Sequence, residues 1–395
     1  MSIIIPIDYH ADELPLPDLQ EAWLAQIPPE IAEAHPARLA LIEDWRAAPA
    51  KQVDEEILRG LAPKEMRRAR FSGAGPEPIL ETVARFWSAA ETYLDRGIPD
   101  AIALWNCGNA DQNVWAMLAG ERHIPIMHCE HGWLPQTRIF DPMGAYVTGR
   151  SGLDAISDQP ASEGMGDSII QLWRAARLSK HAQGGEPSEA VQEFAARGPA
   201  LLVAMQLEAD GAVVYNEIEF DCQRSFLRRC LSWPGPVLVK KHPAADGLEW
   251  EPDFIEHRRL CRMEVEARGG MWLDGNESIH ELLPIVHAAA AINSNVLFEA
   301  AMARRPALSF GKGPHSGRGF TVDMGVGAEW PTGDQTPAQW AAVCEHVARM
   351  EAYLTPEGAW LPTWDHLAFW GAPFWGQAKA ALLLRWELLL AEAQA

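Results

Sequence analysis

Two carboxylates and an amide, Gln206, Glu208 and Asp210, follow the apolar run 200–206 and precede Gly211. Carboxylates this close to a strand end and a flexible glycine suit acid/base or nucleophilic work, and an acidic loop on an acidic protein is the equal alternative. The run 236–241 leads through Lys240 and Lys241 straight into His242 and Pro243. Two point charges and an imidazole can hold a phosphate, and the proline fixes the turn that follows. As a bare pentapeptide the same residues read equally as a solvated basic pair beside a turn histidine. The run 289–293 ends in Ser294 and Asn295, with a helical pattern over 296–304 behind them. Ser294 is placed to cap that helix, whose first N–H groups and dipole favour an anion. Glu299 lies one turn further in, where a carboxylate reaches either a ribose hydroxyl or solvent.

The first half of the chain offers one comparable cluster. The run 124–129 ends in Glu130, His131 and Gly132, and Glu130 could be the second member of a carboxylate pair. Asn106, after the run 101–105, and Asp141, in Asp141-Pro142-Met143-Gly144, are candidates for lining the same cleft, and each also reads as part of a turn. Other templates are absent: there is no GxGxxG behind a strand, no GxxxxGK[ST], no HExxH and no GxSxG. No His, Cys and Asp residues have metal-ligand spacing along the chain, so neither a metal nor a cofactor is expected.

The elements that must position these groups follow from the hydrophobic pattern. Short apolar runs at 2–8, 101–105 and 124–129, separated by amphipathic stretches at 79–94 and 113–120, read as parallel strands with helical crossovers. After a polar stretch at 180–189 the pattern starts again. Strands are expected at 200–206, 236–241, 270–273, 289–293 and 307–310, and helices at 216–231, 255–268, 278–287 and 296–304. Two such series predict an α/β protein with two Rossmann-like domains, 1–185 and 186–375, facing a central cleft. Thr336 and Pro337 open a helix over 337–353, and the leucine-rich stretch 376–395 is expected to pack back across the domains as a final helix.

With 48% hydrophobic residues, 22% charged residues and 17 tryptophans, 395 residues can bury two cores. The 33 basic and 54 acidic residues leave a net charge of −21. A field of that sign repels polyanions over about 8 Å at physiological salt, which excludes broad nucleic-acid binding. An anionic ligand must therefore be held locally, and two of only seven lysines are the adjacent Lys240 and Lys241. The six cysteines show no CxxC spacing, and reduced, buried thiols are expected. No apolar stretch reaches the ~18 residues of a membrane helix and no signal peptide is recognised, so a cytoplasmic location is expected.

Taken in order, these pieces resemble a known family. Pro99 to Asn106, Ile124-Pro125-Ile126 to Glu130-His131-Gly132, Asp141 to Gly144, Gln206 to Asp210, Lys240-Lys241-His242-Pro243, Ile292-Asn293-Ser294-Asn295 to Glu299-Ala300, and Arg305-Pro306-Ala307 resemble the capsule polysaccharide biosynthesis family of glycosyltransferases. That family includes retaining β-Kdo transferases of bacterial capsule and lipopolysaccharide assembly. The resemblance implies a GT-B fold and CMP-Kdo as donor substrate, bound by the C-terminal domain. It sets His242, Ser294 and Asn295 near the donor phosphate and Glu299 near the ribose, with Lys240 at the family's basic position, Lys241 beside it, and Gln206 and Pro243 also on the donor-binding side. It makes Asp210 the nucleophile of a double displacement and Glu130 the opposing carboxylate. Asn106, His131, Gly132 and Asp141 then fall on the acceptor side. The implied acceptor is a saccharide or lipid-linked glycan, with peripheral contact at the cytoplasmic face of the inner membrane. Another GT-B enzyme, a sialyltransferase-like inverting transferase or a UDP-sugar epimerase, would share the phosphate site, and a non-catalytic scaffold would keep the fold alone.

Overall fold

The computed structural model describes residues 3–6, 37–40, 45–99, 101–105, 108–124, 126–131, 137–141, 164–175, 185–216, 219–249, 251–274, 277–325, 327–353 and 355–356. Two compact units divide the chain: Met1–Asp158 with Glu351–Leu388, and Gln159–Met350 with Leu389–Ala395. From sequence the domain boundary falls at 185/186. The final helix expected at 376–395 lies outside the described residues.

The first unit holds a six-stranded sheet. Its strands are β1 (Ile3–Pro6), β2 (Ala37–Ala40), β3 (Ala101–Trp105), β4 (Ile126–His131), β5 (Thr137–Asp141) and β12 (Thr355–Pro356), in the order β12-β5-β4-β3-β1-β2. The stretch from β2 to β4 is parallel, whereas β5 runs antiparallel to β4 and β12 antiparallel to β5. Helices α1 (Glu55–Leu61), α2 (Pro63–Ser72), α3 (Glu77–Asp95) and α4 (Ala110–Glu121) belong to the same unit. In α3, Leu80, Val83, Phe86, Trp87, Ala90 and Leu94 are all buried, which is the apolar stripe of a core-facing helix. Phe86 meets Trp45 and Trp115 edge to face.

The second unit contains α5 (Met165–Ala175), α6 (Glu189–Ala195) and a second six-stranded sheet. The strands are β6 (Leu201–Ala204), β7 (Val237–Lys240), β8 (Met271–Leu273), β9 (Ala288–Ala291), β10 (Ala307–Ser309) and β11 (Thr321–Asp323). Their order is β11-β10-β9-β6-β7-β8, and every pairing is parallel. Numbered within the unit this is 6-5-4-1-2-3, the dinucleotide-binding arrangement, whose order reverses between β6 and β9. Every residue of β6, β7, β9 and β10 is buried. That explains why these strands read as continuous apolar runs rather than alternating ones. Phe220, Phe226 and Phe310 pack as a ring cluster with centroids 5.3–5.9 Å apart, on a core that includes Leu201, Val239, Ala290 and Leu308.

Of the helix expected over 216–231 the described residues form only α8 (Gln223–Cys230), and a separate short helix, α7 (Gly211–Val214), precedes it. The break has local causes. Asp210 Oδ1 accepts the Ala212 N–H at 2.9 Å, which starts α7 early, and Asn216 Nδ2 donates to the Ala212 carbonyl at 2.6 Å as the chain leaves it. Cys222 then takes extended backbone, and the Ser225 hydroxyl accepts its N–H at 3.3 Å, which opens α8. Behind β7 come α9 (Ala245–Leu248) and α10 (Pro252–Ala267), followed by α11 (Ile279–Leu282), α12 (Val296–Met302) and α13 (Pro337–Tyr353). In α13, Thr336 and Gln339 cap each other reciprocally, the Thr336 N–H reaching Gln339 Oε1 at 2.8 Å and the Gln339 N–H reaching Thr336 Oγ1 at 3.2 Å. Among the described residues no helix is long and apolar enough to cross a membrane.

Candidate active site

The sheet order of the second unit sets where chemistry can occur. In an open parallel sheet, ligands bind beyond the carboxyl ends of the strands where the order reverses. Here that point lies between β6 and β9. Gln206 stands two residues past β6 and Asn293 two residues past β9. Gln206 Nε2 donates to Asn293 Oδ1 at 2.9 Å, and the Asn293 N–H donates back to Gln206 Oε1 at 3.1 Å. Asn293 Nδ2 donates further to the carbonyls of Ala212, at 2.6 Å, and Lys312, at 2.9 Å. One buried amide therefore joins the loops behind β6, β9 and β10.

Buried side chains hold the loop from Gln206 to Asp210 from below. Gln223 Oε1 accepts the Gln206 N–H at 3.2 Å, and Glu208 Oε1 accepts the Gln223 N–H at 2.6 Å. Glu249 Oε1 accepts the N–H groups of Glu208, at 2.6 Å, and Ala209, at 3.3 Å. Glu249 is 4% exposed, and burial pushes its carboxyl up to about 7 against the opposing pull of those N–H donors and Arg258. Glu208, proposed by sequence as a reacting carboxylate beside Asp210, is only 3% exposed and serves as a brace. Asp210 is half-buried at the end of the braced loop, with one oxygen on the Ala212 N–H.

The strand β7 brings up the basic group. Lys240 is 6% exposed, and burial holds its ammonium below the usual lysine range, with Lys241 adding to the effect and Glu277 opposing it. Lys241 turns to Asp246, its Nζ 2.6 Å from Oδ2. His242 Nδ1 accepts the N–H of Ala244 at 3.2 Å, which fixes the neutral ring as the Nε2–H tautomer. Burial lowers the His242 pKa, Asp210 raises it and Lys240 lowers it, so the imidazole is a neutral donor at pH 7. Pro243 is exposed in the turn that follows.

Behind β9 the helix begins at Val296, as expected, and its cap is the neighbouring residue. Asn295, not Ser294, occupies the N-cap position, while Ser294 Oγ accepts the Val296 N–H at 3.3 Å. With only seven residues α12 carries little dipole. Glu299 is 5% exposed inside this helix, so the solvent-facing alternative does not hold. Asn295 Oδ1 lies 3.2 Å from His315 Nε2, and His315 Nδ1 lies 3.4 Å from His346 Nε2.

In the first unit Glu130 is a strand residue rather than the first residue beyond a strand. The partner strand β5 extends β4 through Glu130 and His131, pairing them with Ile139 and Arg138. Glu130 is 4% exposed. Asp141 closes β5 opposite His128. The side chains of His131 and Asp141, and residues Asn106 and Gly132, lie outside the described residues. Sequence reasoning missed Asn293, Gln223 and Glu249, which act through contacts between distant segments. Among the described residues one group brings metal-ligating atoms together, Glu208, Cys222 and His257, all within 4.8 Å of one another.

Two Rossmann-like sheets in one chain, the second presenting polar side chains at its order reversal, are the domain make-up of a GT-B protein. Residues 163–351, just under half of the chain, match the family model described as capsule polysaccharide biosynthesis protein. The chain is similar to two solved structures from Thermosulfurimonas dismutans. KpsC, beta Kdo 2,4 transferase, is 18% identical over 78% of this chain and 92% of that one, with a TM-score of 0.47. KpsC, beta Kdo 2,7 transferase, is 16% identical over 68% and 82%, with a TM-score of 0.44. A putative UDP-N-acetylglucosamine 2-epimerase from Listeria monocytogenes is 9% identical over 88% and 90%, with a TM-score of 0.36. No curated protein matches the sequence.

Proposed function

We propose that the chain is a retaining glycosyltransferase that moves Kdo from CMP-Kdo to a saccharide or lipid-linked acceptor in capsule or lipopolysaccharide assembly. The observation that supports this reading most is that Asp210, Lys240, His242 and Asn295 stand at or beyond the carboxyl ends of the adjacent strands β6, β7 and β9, within a segment matching a capsule biosynthesis family. The Asp210 carboxylate attacks the anomeric carbon of Kdo as the bond to the CMP phosphate oxygen breaks, and the electron pair leaves with the phosphate. The neutral His242 donates its Nε2–H to that oxygen while Lys240 supplies a positive charge, so the step uses the chain's own groups and no metal. An acceptor hydroxyl then attacks the same carbon and gives up its proton to water, the bond to Asp210 breaks with its electron pair returning to the carboxylate, and the original configuration is restored. Glu130 keeps the role of opposing carboxylate, and the acceptor work takes place at the cytoplasmic face of the inner membrane.

The test is nucleotide selectivity measured by thermal shift. CMP at 100 times its dissociation constant should add about 2.7 kcal/mol of stability, with UDP and GDP adding much less. A larger shift with UDP would replace the Kdo reading by a UDP-sugar enzyme.

A further inference from the structure

The loop from Gln206 to Asp210 turns Glu208 toward helix α10. There the carboxylate, 3% exposed, has Oε1 2.7 Å from His257 Nε2. Cys222, the residue that opens α8, stands on the other side, so that one ligand atom from each of Glu208, Cys222 and His257 lies within 4.8 Å of the other two. Cys222, Cys230, Cys261 and Cys344 are free thiols. Cys261 follows His257 by one turn of α10 and is 1% exposed. Glu208, Glu249, His257 and Cys261 line a cavity of about 20 Å³, room for one occupant the size of a water or an ion.

We propose that Glu208, Cys222 and His257 form a site for a divalent transition-metal cation of the zinc type, which anchors the loop carrying Asp210. One carboxylate oxygen, one imidazole nitrogen and one thiolate are a zinc-type donor set, and the soft sulfur disfavours calcium and magnesium. The charge balance points the same way. Glu208 and Glu249 are both nearly fully buried, and Arg258 Nη1 stands 3.4 Å from Glu249 Oε2. A cation at this site would join His257, already 2.7 Å from Glu208 Oε1, in facing that buried carboxylate. An oxygen and a nitrogen donor around a tetrahedral zinc sit about 3.3 Å apart, so entry of the cation parts Glu208 and His257 by roughly half an ångström. Binding displaces the Cys222 S–H proton to solvent, and the thiolate and carboxylate together neutralise the cation. The site lies outside the reacting groups, and its role is to hold the 206–210 loop.

The full chain, reduced, treated with a chelator and then titrated with Co²⁺, tests this directly. One Co²⁺ per chain should bind, with a thiolate-to-cobalt charge-transfer band that Zn²⁺ abolishes by displacement, and Zn²⁺ alone should raise Tm. Cys222→Ser should remove the band, and His257→Gln should weaken binding by about tenfold or more. Cys344→Ser, on α13, should change neither. No charge-transfer band in the wild-type chain overturns the proposal, as does a band that survives Cys222→Ser or a Cys222–Cys261 disulfide in place of metal. The wild-type titration decides even if a variant fails to fold. It measures no glycosyl transfer, so its failure leaves the proposed activity standing.

Discussion

Gln206 and Asn293 exchange two hydrogen bonds, at 2.9 and 3.1 Å, across the point where the order of the second sheet reverses. The pair is buried and shares donors with the Ala212 and Lys312 carbonyls, so it sets the relative position of the loops that carry Asp210, Ser294 and Asn295. Removing one partner leaves buried polar groups unmatched. Asn293→Leu should therefore cost about 2–4 kcal/mol of unfolding free energy, read from urea midpoints. Gln206→Glu should also destabilise, because a carboxylate cannot donate to Asn293 Oδ1. A loss below about 0.5 kcal/mol in both would remove this pair from the architecture of the site.

Asp210 has two separable duties. As an N-cap its oxygen accepts the Ala212 N–H, and asparagine performs that task about as well. Asp210→Asn should thus keep wild-type stability and CMP affinity while abolishing transfer. Asp210→Ala should lose transfer and in addition about 1 kcal/mol of stability. Transfer by the Asn variant at wild-type rate would strip Asp210 of the nucleophile role.

Much of this fold was legible because central parallel strands are buried on both faces. Ala101–Trp105 forms the strand expected, and the runs leading to Gln206, Lys240 and Asn293 are strands that end a residue or two early. Less legible were β11 and β5. Thr321 and Val322 are half-exposed and Asp323 is exposed, so β11 carries too little apolar signal to be seen, and β5 pairs antiparallel within an otherwise parallel pattern. The site divides along the same line. His242 and Asp210 follow apolar runs and are visible there, whereas Glu249, Gln223 and Asn293 matter only because the fold carries them together. Gln206 and Asn293 are 87 positions apart. Cys222 caps one helix and His257 lies in the second turn of another, a spacing that no metal motif describes.

The His315–His346 pair gives stability a pH dependence of known sign. Burial pushes His315 down to about 3 and holds His346 well below the ordinary value, with Arg318 adding to both effects and His315 and Arg349 adding to the second. In the unfolded chain each takes a proton near pH 6.5. Below that value the unfolded chain binds more protons, so the stability present above about pH 6.5 is lost as pH falls toward about 3. Each histidine contributes up to about 1.4 kcal/mol per pH unit in that window. His346→Gln should flatten the urea-midpoint profile between pH 6 and 4 by about one proton. Superimposable profiles would show that His346 is charged in the folded state.

Lys240 should be required for donor binding. The residue is 6% exposed and burial lowers its pKa while Glu277 opposes the shift, so Lys240→Met takes a positive charge away from the groups that face it. The same change removes a charge-assisted contact to the CMP phosphate. CMP affinity by calorimetry should fall about tenfold or more, with a shallower dependence on salt. Lys241 makes the control, because its charge is already engaged by Asp246. Lys241→Met should leave CMP affinity within about a factor of two, since an exposed ion pair contributes little. Equal losses of affinity in both variants would move the phosphate contact away from Lys240, and unchanged affinity in Lys240→Met would remove Lys240 from the donor site.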